Sequence, residues 1–88
     1  MKSIMIALLL LPPMPDVVGK TVVEAYDQIG WQNPVHVRDI SGDDRPVLWP
    51  AHWKVCAQRP AAGAPVKRYE PVELDVVKLK EPCPKPGS

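Results

Sequence analysis

The chain has 88 residues, 45% of them apolar, and a formal net charge of +1. That length holds one domain and no second, and the apolar content is that of a folded chain rather than a disordered one. Basic residues are scattered apart from Lys67-Arg68 and the lysines of the tail, which excludes the basic face that a nucleic-acid partner needs. The aromatic set is three Trp, two Tyr and no Phe, so every aromatic ring carries a polar group. Of the twelve prolines, eight lie near the termini or at Pro60 and Pro65. They mark ends and connections, because proline fixes φ and donates no backbone hydrogen bond.

Residues 1–13 open with Met1-Lys2-Ser3 and an apolar run, Ile4 to Leu11. The run is too short to span a bilayer as a helix. A lysine followed by an apolar stretch begins a secretory signal, but no Ala-x-Ala cleavage pattern follows and Pro12-Pro13 intervene. An exported leader and an apolar extension that packs on the domain are both consistent with it.

Residues 21–30 predict a short helix. Thr21 and Glu24 have capping-box spacing. Val22, Ala25, Tyr26 and Ile29 form one apolar stripe, and Gly30 stands where a C-terminal cap belongs. About nine residues of helix are unstable alone, so the stripe must pack on something.

Three alternating runs supply the partner. Over residues 34–40, Val35 and Val37 oppose His36 and Arg38. Residues 41–44, Ser-Gly-Asp-Asp, form a turn. Over residues 53–58, Trp53, Val55 and Ala57 are expected opposite Lys54, Cys56 and Gln58. Over residues 72–79, Val72, Leu74 and Val76 alternate with Glu73 and Asp75. The reading is an α+β fold, with one short helix packed on a small three-stranded, mostly antiparallel sheet. Past Lys80 the composition is that of a flexible tail.

These residues resemble a PASTA domain. Pro15-Asp16-Val17-Val18-Gly19-Lys20, with Ala25 and Gly30, looks like its opening, and Gln58-Arg59-Pro60-Ala61-Ala62-Gly63 with Val66 like its second signature. Residues 72–77 resemble its closing strand. The expected division is a leader or signal-like segment at 1–13, a PASTA-like domain at 14–83 and a flexible tail at 84–88. The Trp53-Lys54-Val55-Cys56 form looks like an actinobacterial or actinophage variant. The resemblance implies a non-catalytic, extracytoplasmic module that recognises peptidoglycan or cell-wall precursor fragments; a monomer that needs no cofactor is expected. The alternative is a structural or protein-interaction module, phage-encoded or contacting a cell-envelope protein, that binds no glycan. Two departures are expected: a module without a kinase or transpeptidase domain, and a link over residues 41–52 that is longer than usual and carries Trp49.

In a small exported domain the two cysteines, Cys56 and Cys83, read as a disulfide; in a reducing compartment they would be free thiols. His36, His52 and the two cysteines lack the paired spacing of a structural zinc site, so no metal is expected. No catalytic set emerges, because the serines lie in the leader, a turn and the tail. The binding candidates are Trp49, Arg59 and Tyr69. Indole faces stack on sugar rings, and guanidinium groups pair with the carboxylates of stem peptides. The competing role for Trp49 is to cover one end of the core. Trp53 is expected in the core.

Overall fold

A computed structural model describes residues 12–84. In chain order it has helix α1 (Val22–Ile29), strand β1 (Val35–Asp39), a 3-10 turn (Pro50–His52), strand β2 (Trp53–Arg59) and strand β3 (Val72–Lys78). The class is the expected α+β. The apolar leader run and the last four residues lie outside the described residues. Pro12 and Pro13 lie within them: Val66 N donates to Pro12 O at 3.0 Å, and Pro13 bridges Pro65. No helix among the described residues is long and apolar enough to cross a membrane.

Strand order is β1-β3-β2. The middle strand pairs parallel with β1, Val35 opposite Val72, and antiparallel with β2, Trp53 opposite Lys78. The sheet is therefore mixed, where the sequence reading had it mostly antiparallel. The reason is the position of β3: it enters between the two earlier strands and so runs with one and against the other. β1 and β3 begin, and β2 finishes, at one end of the sheet, the near end. The far end lies about 20 Å away, at roughly 3.3 Å per residue along β2.

The capping box forms as spaced. Thr21 Oγ1 accepts from Glu24 N at 3.1 Å, and Glu24 Oε1 accepts from Thr21 N at 3.0 Å. Val22 and Ala25 are fully buried and Ile29 packs on the core, while Tyr26 sits at the exposed flank of the stripe. The helix lies on the sheet face that carries Val55, Val72, Leu74 and Val76, joined by Met14, Val17, Trp53 and Val66.

The bottom of this core is closed by the chain that precedes the helix. Gly19, at φ 87°, turns the segment so that its N–H donates to Val55 O at 2.8 Å, and Val55 N returns a bond to Lys20 O at 2.9 Å. These bonds cover the free edge of β2. Gly63, at φ 84°, makes the matching turn after β2 and donates to Met14 O at 2.8 Å.

The alternation expected along β2 breaks at Cys56. Val55 pairs with Val76 but Ala57 pairs with Asp75, so Cys56 is an extra residue in a β-bulge. A bulge inserts one residue against none on the partner and inverts the alternation beyond it. Ala57 and Arg59 therefore lie on the outer face of the sheet, and Gln58 lies on the inner one. Gln58 meets the polar cost of that position with three bonds. Its Oε1 accepts from Val17 N at 2.8 Å, and its Nε2 donates to Pro15 O at 2.9 Å and to Pro60 O at 3.1 Å.

The chain after β3 folds back over the outer face. Glu81 N donates to Lys78 O, Glu81 Oε1 accepts from Lys78 N at 2.8 Å, and Cys83 is bonded through sulfur to Cys56. Val77, on the outer face by its register with Lys54, is buried.

Candidate functional site

Three places combine exposed rings or charges with a defined backbone. The first is at the far end, where the long link over residues 40–52 closes on the sheet. Asp39 organises that link. Its carboxylate accepts from Ser41 N, Ser41 Oγ and Arg45 N, and from Arg45 Nε at 2.8 Å and Nη2 at 3.2 Å. The Arg45 guanidinium holds the Asp39 carboxyl well below the usual carboxylate range, helped by the Ser41 and Arg45 N–H groups and opposed by burial. The same guanidinium takes both oxygens of Glu81, at 2.8 and 3.1 Å, which lowers the Glu81 carboxyl as well. Two carboxylates raise Arg45 above its ordinary value, Asp39 more than Glu81. Arg45 also lies 5.0 Å from the Trp53 ring centroid, with Lys78 Nζ at 5.8 Å. This clasp is structural: its charges face each other, and it fastens the link to β1 and to the turn after β3.

The clasp leaves a groove of about 280 Å³ lined by Arg45, Pro46, Leu48, Trp49, His52, Trp53 and Lys78. Trp53 is core, as the alternation implied. Trp49 is 69% exposed and Leu48 70%. Trp49 therefore does not seal the core. Its backbone is fixed all the same, because Trp49 O accepts from His52 N at 2.8 Å in the 3-10 turn, and His52 O accepts from Leu79 N. Lys78 makes no carboxylate pair among the described residues. The groove thus offers an indole face, a leucine and an ammonium group.

The second place is the outer face at the near end, a depression of about 160 Å³ that includes His36, Arg38, Arg59, Glu73 and Asp75. The register sets these residues side by side: Glu73 stands between His36 and Arg59, and Asp75 between Arg38 and Ala57. Arg59 donates to both oxygens of Asp75, at 3.0 and 3.2 Å, and to Glu73 at 3.2 Å. Asp75 first and Glu73 second raise its pKa. The guanidinium is thus already paired by its own sheet. Arg38 reaches Asp75 only at 3.5 Å and is largely exposed.

The third place is the turn before β3, with Tyr69 at its tip and Arg68 5.3 Å from the Tyr69 ring centroid. Tyr69 N donates to Gln32 O at 3.2 Å, which joins this turn to the one after the helix. Trp31, in that second turn, is 83% exposed. The structure therefore brings Arg59 and Tyr69 to the near end and leaves Trp49 at the far end. Sequence reading passed over Trp31, Leu48 and Arg68. Trp31 had a usable signal, as a large ring directly after a glycine cap and before Gln-Asn-Pro. Among the described residues no group of three or more His, Cys, Asp or Glu could hold a metal ion.

Within this frame lie the turn at Gly19, the cap at Gly30 and the Gln58–Gly63 turn that holds the N-terminal segment. The family model for the PASTA domain matches residues 12–78. The chain belongs to the PASTA family. No curated protein and no solved structure matches it. PASTA domains are non-catalytic binding modules. The match spans the turns, caps and core of this PASTA module and also the link that carries Leu48 and Trp49.

Proposed function

We propose that this PASTA module acts outside the cytoplasm as a monomer that binds peptidoglycan or its precursor fragments through the far-end groove. The observation that carries this reading is Trp49. A large indole is held 69% exposed on a backbone fixed by the Arg45 clasp, beside the Lys78 ammonium, which has no carboxylate partner among the described residues. A flat apolar face next to a cation suits a sugar ring that bears a carboxylate-containing stem peptide. Pre-ordering the link lowers the entropy lost on binding. The family supports the ligand class, and the Cys56–Cys83 bridge supports an oxidising location.

The test is co-sedimentation of the full chain with insoluble cell wall, with Trp49→Ala alongside. Wild type is expected to bind, and Trp49→Ala to bind roughly tenfold more weakly, the usual size for loss of an aromatic anchor. Wild type that stays in the supernatant at high wall concentration would sink the reading in favour of a protein-contact role.

A further inference from the structure

At the near end two turns are latched together. Asn33 Nδ2 donates to Lys67 O at 2.8 Å and to Glu70 O at 2.9 Å, and Tyr69 N donates to Gln32 O. Lys67 N donates to Glu70 Oε1 at 3.0 Å. The latch fixes the backbone that carries Trp31 and Tyr69, whose side chains nevertheless stay out of the core at 83% and 63% exposure.

Tyr69 has a φ of 67°. An aromatic residue rarely occupies that left-handed region, and glycine would do so without strain. Packing does not account for the tyrosine, since the residue is largely exposed. Backbone strain kept at an exposed aromatic residue points to use of the ring.

Charge and neighbours narrow what that use is. Arg68 stacks on the Tyr69 ring, and neither Lys67 nor Arg68 has an ion-pair partner among the described residues. Only Glu70 opposes Lys67 and Arg68 in charge, so the turn is net positive. The exposed leucines, Leu48 and Leu79, lie at the other end of the module. A protein-docking surface would surround its aromatic anchors with a desolvated apolar core. Rings set among amides and cations suit a polar ligand with one flat apolar face.

We propose that Trp31 and Tyr69 form a second saccharide platform, separate from the Trp49 groove, that takes an acidic sugar of a glycan strand, with Lys67 and Arg68 supplying charge for its carboxylate. This rests on the wall-binding reading and refines it, because it assigns the near end to the glycan backbone and not to stem peptides.

The test uses two probes: intact insoluble cell wall, and soluble glycan strands stripped of their stem peptides with an amidase. The proteins are the full-length chain, Trp31→Ala and Tyr69→Gly. Tyr69→Gly removes the ring and relieves the strained φ, so its thermal midpoint is expected to equal or exceed that of wild type. Wild type is expected to bind both probes. Each variant should bind stripped strands roughly tenfold more weakly at an unchanged or raised midpoint. If both variants bind stripped strands as wild type does, or if wild type binds intact wall but not stripped strands, the platform is overturned while the wall-binding reading stands. Wild type that binds neither probe overturns both.

Discussion

Opening the Cys56–Cys83 bridge isolates one contribution to stability that the structure allows to be worked out. The bonded cysteines are 27 residues apart. Closing a loop of that length in the unfolded chain removes entropy worth about 3.5 kcal/mol at 25 °C on the chain-entropy relation. The folded state loses little when the bridge opens. Glu81 still takes two bonds from Arg45, and Leu79 N still donates to His52 O. The penalty therefore falls on the unfolded side. For a domain this small it corresponds to a drop in thermal midpoint of about 14–28 °C, at roughly 4–8 °C per kcal/mol. Circular-dichroism melts of the oxidised chain, the reduced chain and the Cys56→Ala/Cys83→Ala double variant measure it directly. The reduced chain and the double variant should lose stability by the same amount. A double variant within about 1 kcal/mol of wild type would refute the reasoning, because loop entropy of that size cannot vanish while the fold persists.

Acid stability should follow the Asp39 clasp. The Asp39 carboxyl lies below its ordinary 3.8 when folded, so its contribution is complete above that value and is lost as pH falls below it. Denaturant midpoints of wild type should fall with pH in that window, and Asp39→Asn should lower the midpoint at neutral pH and flatten the acid slope. An unchanged slope in Asp39→Asn would show that other carboxylates carry the acid sensitivity. Gln58→Leu should cost about 2–3 kcal/mol by chemical denaturation, because Val17 N, Pro15 O and Pro60 O all lose their side-chain partner. A neutral substitution there would mean that water replaces the amide.

How much of this was legible in the sequence depends on how local each signal is. The helix could be read because its start, stripe and stop lie within ten residues and each has its own chemical mark, Thr21 with Glu24, the apolar spacing and Gly30. The strands could be read from alternation, but alternation does not say which strand lies in the middle. The parallel β1–β3 ladder joins residues more than thirty positions apart and leaves no mark in either segment. The bulge was hidden by composition. Ala57 is small enough for either face, and Gln58 looks like a surface residue until three bonds to the N-terminal segment account for its inward position. At the site, Trp49 stood out as a ring in a long link. Arg59 stands out in the sequence by its side-chain type alone, and only the register shows how tightly Asp75 and Glu73 hold it. Trp31 is marked in the sequence by its place after a glycine cap, but its closeness to the Tyr69 turn rests on bonds between segments more than thirty residues apart.

The fold-back after β3 also governs how the module carries load. All of β3, the middle strand, lies inside the covalent loop closed by Cys56 and Cys83. Tension applied to the chain beyond residue 84 is therefore delivered to β2 through the sulfur bridge, and β3 feels none of it directly. A central strand pulled from its own end would unzip one hydrogen bond at a time. Here that route is shorted, because residues 57–82 carry no tension while the bridge is closed. An intact bridge keeps β3 from being drawn out by its C-terminal end, and reduction would open that route.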